Sequence, residues 1–537
     1  MTYFNLEKDS LPTEISCDIC IVGSGAAGIA IASRFVNYKL KVLLMESGEF
    51  KPVRETQNLY DLHNIGYPIR KDFMSRARYH GGTTNIWLGR SMMLSRIDFI
   101  DRNWVSDSGW PFGYNEILNY YNKAVELLKL PKKENFQVNK WFSGMNKYEK
   151  LINYEQNICL NASIWGVRPF NFRREYFSTF KTSRYLDVYL NSNLVKITLN
   201  ENKKHISKVD FTSLNGNSLV VKPKICVLAC GGLENPRLLL NSRHQINCGL
   251  GNENDLVGRY YSDHPRSIMG TIELNRNSRL PLFVGYPFSD GKIQLGIQFS
   301  EDTQKSDKLL NNYLSLEPVV PDIVEESYDS IIRLGKRLFR RGYSDKRLNF
   351  STSIAHIPEI IYYLTPKELL PHKLYSFIFP FLKHSKSLSG SYKLRVANYC
   401  EQAPNSNSRV FLGKDKCKLG LNKIILDWRV GHDEKRNVLK LQSFVDSCFR
   451  KNNIGKLYRN SREITFTDAS HHIGTTRMSH DSKNGVVDSN CKIHNIDNLY
   501  IAGSSVFPTA GHANPTLTIV ALSLKLADEI KRTFGLV

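Results

Sequence analysis

Apolar and polar positions near the N-terminus change period within a short stretch. Cys17-Asp-Ile-Cys-Ile-Val22 is a β-forming run. Ile29 to Tyr38 carries its apolar residues at helical spacing, and Lys41-Val-Leu-Leu-Met45 is a second β-forming run that ends at Glu46. Gly23-Ser24-Gly25-Ala26-Ala27-Gly28 stands between the first run and the helix. The order predicted is strand, glycine turn, helix, strand, acidic residue. Two later runs repeat the passage from strand to glycine: Lys224-Ile-Cys-Val-Leu-Ala-Cys-Gly231-Gly232 and Leu499-Tyr-Ile-Ala-Gly503. Past the second, Asn514-Pro-Thr-Leu-Thr-Ile-Val-Ala-Leu-Ser-Leu-Lys-Leu-Ala527 predicts a helix with Pro515 in its first turn.

Each position of the first unit has a physical role. Gly23 permits a tight turn, Gly25 lets a pyrophosphate approach the backbone, and Gly28 lets the helix pack close to the strand. The helix start, with the backbone of Ser24, Ala26 and Ala27, offers N–H groups and a positive dipole end to phosphates. Glu46 can accept hydrogen bonds from ribose hydroxyls, and its charge favours FAD or NAD over NADP. One such unit does not specify a flavin. Tyr79-His-Gly-Gly-Thr-Thr-Asn-Ile-Trp87 is a further glycine-rich loop, too far along the chain to belong to it. Taken singly, each later glycine motif reads as an ordinary strand-to-turn transition. Together they suggest a sheet whose loops converge on one large cofactor.

Composition narrows the class. The chain has 537 residues, 41% hydrophobic and 23% charged, which suits a soluble globular protein of two to four domains. Dominant disorder is excluded, and no short period indicates a collagen or coiled coil. The formal net charge is +22, but Lys and Arg are spread along the chain, and no nucleic-acid-binding motif accompanies them. A basic solvated surface is the expectation, without nucleic acid as partner. The first twenty residues include Glu7, Lys8, Asp9 and Glu14 and show no secretory signal. The run Ile19 to Ala32 is too short to span a bilayer. Ten cysteines are sparse and read as reduced core thiols of a cytoplasmic protein. Cys17 and Cys20 form a CxxC, but on a strand they point to opposite faces, so no metal or redox pair is expected.

The motifs as a set resemble the glucose–methanol–choline (GMC) oxidoreductases. They are Gly23–Gly28, Glu46, Gly81-Gly82-Thr83-Thr84-Asn85, Cys230-Gly-Gly-Leu-Glu-Asn-Pro-Arg237, His471-His-Ile-Gly-Thr-Thr-Arg-Met478, and Gly503-Ser-Ser-Val-Phe-Pro-Thr with Gly511-His-Ala-Asn-Pro-Thr-Leu-Thr518. Glu401-Gln402, Ser408-Arg-Val410 and Leu426-Asp-Trp-Arg429 also look like family segments. The resemblance runs from about residue 17 to 530 and is weakest at roughly 265 to 395. It implies an α/β fold: a Rossmann-like FAD-binding domain of glutathione-reductase type, with a substrate domain built on a large antiparallel sheet. The expected FAD-binding segments are 14–100, 190–265 and 462–537, and the substrate-binding segments 101–189 and 266–461.

The implied activity is FAD-dependent oxidation of an alcohol to a carbonyl, on a sugar, polyol or related polar compound. The family's catalytic histidine falls on His471, and its second active-site residue on Asn514. The adenine-side backbone contact falls near Leu194 or Val195. Gly81, Gly82, Thr83, Thr84, Asn85, Gly231, Gly503 and Ser504 join the cofactor contacts. Chemistry agrees: hydride transfer from an alcohol needs its hydroxyl proton removed, which neutral imidazole can do. Asn514 can hydrogen-bond the same oxygen. Thr516 and Leu517, behind Pro515, present N–H groups to the flavin edge where charge gathers on reduction. His512 is expected to line the substrate pocket. His472 would point the other way from His471, and His80 reads as a structural loop residue. Some family members tether FAD through a histidine after the glycine pair; here that position is Ile86, so non-covalent FAD is expected.

Residues 328–342 place Ile331, Leu334 and Leu338 on one helical face and Arg333, Lys336, Arg337 and Arg340 largely on the other. With the apolar run 374–382, this leaves a weak contact with an anionic membrane open, beside the plainer reading of a solvated helix. Rival readings are a non-oxidising flavoprotein (a lyase or decarboxylase), a peripheral-membrane dehydrogenase of a lipid-linked substrate, and a basic binding protein without turnover. Oxygen, quinone or a protein partner could accept the electrons.

Overall fold

The computed structural model describes residues 3–69, 75–318, 393–459, 461 and 463–536. Segments 328–342 and 374–382 lie outside these. Strand Glu14–Val22 sits inside an eight-stranded sheet. Its last four residues are all buried, so the run is continuously apolar rather than alternating. It pairs in parallel with Val42–Met45 on one side and Ser218–Leu228 on the other. Leu186–Leu190 and Tyr3–Asn5 extend the first side, also in parallel. Ile206–Thr212 and Asn193–Leu199 extend the second as an antiparallel meander. Tyr3–Asn5 and Leu186–Leu190 thus belong to this sheet, and all of the first and all but Leu190 of the second lie outside the segments 14–100 and 190–265. Leu186–Leu190 is a short apolar strand with no glycine turn after it to mark it.

Register decides where a ligand can sit. Val22 pairs with Leu228, and Leu228 with Ile501 of the short parallel strand Leu499–Ile501. Three strands therefore end level, and Gly23, Gly231 and Gly503 follow just beyond them. The carboxyl ends of parallel strands are where open α/β sheets bind ligands.

Among the described residues the second sheet has seven strands, all paired antiparallel. Its order is Tyr286–Phe288, Gly291–Phe299, Asn312–Pro318, Lys393–Cys400, Arg266–Leu274 and Gly455–Tyr458, with Ile158–Gly166 also on Gly291–Phe299. Helix His432–Lys451 buries Val438, Leu441, Val445, Cys448 and Phe449. Leu441, Val445, Cys448 and Phe449 share one apolar core with Ile297, Leu314 and Val396 of the sheet. A small sheet of Arg409–Lys416, Asn422–Asp427 and Leu62–Asn64 completes the architecture. All ten cysteines are free; burial raises the pKa of Cys17, and a hydrogen bond with Cys226, then burial, raises that of Cys20. Among the described residues no helix is long and apolar enough to cross a membrane, and no acidic, His or Cys cluster could hold a metal.

Candidate active site

The glycine turn is sterically obligatory. Gly23 has φ +101°, and a Cβ there would stand 2.7 Å from the Ala229 carbonyl oxygen. A Cβ at Gly28 would lie 1.9 Å from the Gly23 oxygen, so only glycine lets helix Ala26–Ser33 start so close to the strand. By contrast Gly25, Gly231 and Gly503 have open space where a Cβ would be. Three distant segments thus leave one cradle at the common strand edge. The helix begins there without a side-chain cap, which leaves its first N–H groups for an anion.

The loop after His80 lies on this turn. Gly81 N–H donates to Ser24 O at 3.0 Å, and a Cβ on Gly82 would come within 2.9 Å of Gly25 Cα. The loop's polar side chains mainly hold the loop. Thr84 Oγ1 donates to Gly81 O at 2.5 Å, and Asn85 Nδ2 to His80 O and Gly82 O, both at 2.9 Å. Thr83 Oγ1 accepts from the Ala77 N–H at 3.3 Å. Ile86 follows directly with no nucleophilic atom.

Glu46 is buried at the end of its strand. Its Oε2 accepts from Ser24 N–H at 3.0 Å and Ser24 Oγ at 2.6 Å, and its Oε1 from Gly48 N–H at 2.9 Å. The acid therefore braces the glycine turn itself, beyond the ribose role expected from the sequence. His80 Nδ1 meets Ser24 Oγ at 2.8 Å, and burial holds this histidine down at about 3, so it is neutral. Ser192 N–H donates to Glu46 O at 2.8 Å, which brings the start of strand Asn193–Leu199, with Leu194 and Val195, to the same place. This set fits FAD: open glycines and a free helix start for the pyrophosphate, and a buried carboxylate beside them for ribose. Glu46→Ala is expected to weaken FAD binding roughly ten- to a hundred-fold, since hydrogen bonds to a charged acceptor contribute about 1.5–3 kcal/mol. Equilibrium dialysis measures it; full FAD retention would remove Glu46 from the cofactor site.

The second half of the site comes from an irregular pairing. Ser262 bridges Ile473 and Arg266 bridges Thr467, antiparallel. One side spans four residue steps and the other six, so the longer side bulges, with Ser470 at φ +62°. The bulge folds over Asp263. That carboxylate accepts from the N–H groups of His264 at 2.6 Å, Ala469 at 3.0 Å and His471 at 3.0 Å. Burial and Asp468 push Asp263 up to about 8 against these hydrogen bonds. Gln402 Oε1 accepts from Asp263 N–H at 3.2 Å and from Trp428 Nε1 at 2.8 Å, fixing the clamp from behind.

His471 Nε2 stands 3.4 Å from Asn514 Nδ2, and its Nδ1 2.9 Å from His264 Nδ1. His471 and Asn514 both keep part of their surface open, as does Thr516. Burial, then the neighbours His264, His472 and Arg90, hold His471 well below the usual histidine range. It is therefore neutral and able to accept a proton. Asn514 leads into Pro515, which caps helix Thr516–Thr533, and the first helical bond there is Ile519 N–H to Pro515 O. The N–H groups of Thr516 and Leu517 precede it. Ser504 Oγ donates to His472 O at 2.7 Å, and Thr475 Oγ1 to Gly232 O at 2.6 Å, tying the bulge to the glycine cradle. His472 is buried, its ring 6.1 Å from that of Tyr261.

His512 faces a polar network on the antiparallel sheet. Its Nε2 lies 3.3 Å from Asn161 Nδ2, and its ring stacks on Tyr313 at 5.2 Å and 7°. An amide NH₂ donates, so the His512 proton is on Nδ1, a buried donor with no partner among the described residues. Arg90 donates to Ser163 Oγ at 2.9 Å and Tyr313 Oη at 3.0 Å, and its guanidinium lies against the rings of Trp165, Tyr313 and Tyr399. Sequence reasoning missed Asp263, His264, Arg90, Asn161 and Tyr313. An Asp-His pair is common, and its partner His471 is 207 positions away. The other three sit in strands or loops without a motif.

The sequence matches the family model described as "GMC oxidoreductase" in two parts, at residues 18–266 and 404–523. It is 27% identical over 336 residues to the fructose dehydrogenase large subunit of Gluconobacter japonicus, covering 61% of this chain and 51% of that protein. The chain thus spans about half the length of that relative. With 6'''-hydroxyparomomycin C oxidase of Streptomyces lividus it is 21% identical, over 96% of this chain and 91% of that one. The fold is similar to that of pyridoxine 4-oxidase from "Mesorbium loti", with a TM-score of 0.57 at 16% identity over 96% and 99% of the two chains. The two family matches together cover most of the chain and carry the glycine turn, Glu46, His471 and Asn514, and on that ground the chain belongs to the GMC oxidoreductases.

Proposed function

We propose that the protein oxidises an alcohol carbon of a polyhydroxylated compound, a sugar or polyol, to a carbonyl, with His471 as the base. The observation that carries this reading is the pairing of the neutral His471 Nε2 with Asn514 Nδ2 at 3.4 Å, at the mouth of the helix that starts at Thr516. Bound FAD supplies the hydride acceptor. A hydroxyl oxygen seated between the two side chains accepts from the Asn514 amide and loses its proton to His471 Nε2. Arg90, close enough to lower His471 and His512, favours the developing negative charge on that oxygen. Asn161, Ser163, His512 and Tyr313 offer donors and acceptors suited to further hydroxyls. The relatives named for fructose and for 6'''-hydroxyparomomycin C support an alcohol of this kind as substrate. The test is anaerobic: the yellow protein is mixed with D-fructose, D-glucose, glycerol or myo-inositol, and flavin absorbance is followed. Bleaching by one of them is expected. A flavin that dithionite reduces and none of these reduces would overturn the substrate class.

We propose that FAD is held without a covalent bond. Ile86 cannot bond to it, and the His80 ring is fixed by Ser24 and packed edge-on to Tyr3 and Phe50 at 5.8 and 5.6 Å. Acid precipitation should leave the yellow colour in the supernatant. A flavin-bearing peptide containing His80 in the pellet would contradict this.

A further inference from the structure

We propose that His264 is a positioning residue that dictates which nitrogen of His471 carries the proton; this rests on the reading of His471 as the base. The argument begins at Ala510. A carbonyl oxygen only accepts, so the 3.2 Å contact of His264 Nε2 with Ala510 O puts a proton on Nε2. Burial holds His264 down at about 4, so the ring is neutral and its Nδ1 carries a lone pair. At 2.9 Å from that lone pair, His471 Nδ1 is the donor. The lone pair of His471 is then on Nε2, the atom that faces Asn514.

The opposite tautomer would present an N–H to the alcohol and could take no proton from it. His264 thus does for His471 what a hydrogen-bonded partner does for any catalytic imidazole: it selects the tautomer and holds the ring. The proton balance is closed. The O–H bond of the alcohol breaks and an N–H bond forms on His471 Nε2, while bound FAD would take the hydride from the carbinol carbon. The imidazolium keeps its Nδ1–H on His264 Nδ1. The proton goes no further, because His264 Nε2 already bears one, held by Ala510. Asp263 supports the pair by accepting the backbone N–H groups of both histidines. Among the described residues, His472, His512, Glu401 and Arg90 also act on or beside the pair.

The primary test needs no substrate. Holoenzyme labelled with ¹⁵N-histidine is compared with His264→Phe, which has no acceptor, and His264→Asn, whose Oδ1 can stand in for Nδ1. The His471 resonances are identified by their loss in His471→Ala. In the wild type and His264→Asn, His471 should be the neutral Nδ1–H form; in His264→Phe, Nε2–H should appear. A wild-type Nε2–H form, or no change in His264→Phe, would overturn the proposal. Stopped-flow reduction uses the fastest sugar or polyol of the anaerobic assay. His264→Phe should slow it by a factor on the order of 10², with FAD content unchanged, and His264→Asn should recover most of the rate. Equal losses in both variants would mean structural support only and also overturn it. If His264→Phe does not fold, the wild-type spectrum alone decides. If no alcohol reduces the flavin, the substrate reading fails while the spectrum still judges His264.

Discussion

His471→Ala is expected to slow flavin reduction by a sugar or polyol by a factor on the order of 10²–10⁴, the usual scale for a lost general base. FAD content should be little changed, because the cradle at Gly25, Gly231 and Gly503 is built without the His471 side chain. The wild-type pH profile has a definite sign. His471 is held well below 6.5, so the rate should persist through pH 6.5 and fall only well below it, as the imidazolium form appears. A limb centred at 6.5 in the wild type would mean that the burial and cationic neighbours of His471 do not act as described. A large loss in His472→Ala with none in His471→Ala would reassign the base.

Arg102→Met is expected to cost about 3–5 kcal/mol of stability, because it strips a fully buried carboxylate of its partner. Arg102 and Glu401 have side chains at 0% exposure and pair through both guanidinium nitrogens, one at 2.8 Å. Asn311 N–H donates to the same carboxylate at 2.7 Å. Asp98 lies nearby, pushed up to about 7 by burial and by Glu401, with Arg102 opposing. Its folded value is above its unfolded one, so its contribution is fully present below about 3.8 and is lost as pH rises through 7. Removing Arg102 leaves two buried acids without that cation, so the loss in Arg102→Met should grow as pH rises. Asp98 also lies under the segment that carries His512 and Asn514: Thr509 Oγ1 donates to Asp98 O at 2.8 Å, and a Cβ at Gly511 would meet Asp98 Oδ2 at 2.7 Å. Urea unfolding of the holoenzyme at pH 6 and 8 measures both effects. A loss under about 1 kcal/mol would show the pair to be dispensable.

The nucleotide-binding half was legible because its constraints are local. A strand buried on both faces must be apolar throughout, and a helix starting against it needs glycine at 23 and 28. These demands fall within adjacent residues, so they leave a pattern in the chain. Glu46 was legible for the same reason, at the end of the next strand. Its bond to Ser24 was not, since that depends on a rotamer set by the turn.

The part of the site that holds His471 and Asn514 was legible in part. His471 and Asn514 were found through a motif resemblance, not through any pattern that physics imposes on neighbouring residues. What the sequence by itself determined is the strand-turn-helix unit, the candidate base and amide, and the absence of a nucleophile at Ile86. The tertiary structure alone decided that segment 467–473 bulges over Asp263, that His264 meets His471, and that Leu186–Leu190 joins the parallel sheet. A hydrogen bond between residues 207 positions apart asks nothing of the residues between them, so no periodicity records it. It exists only once the bridges Ser262–Ile473 and Arg266–Thr467 have brought the two segments together.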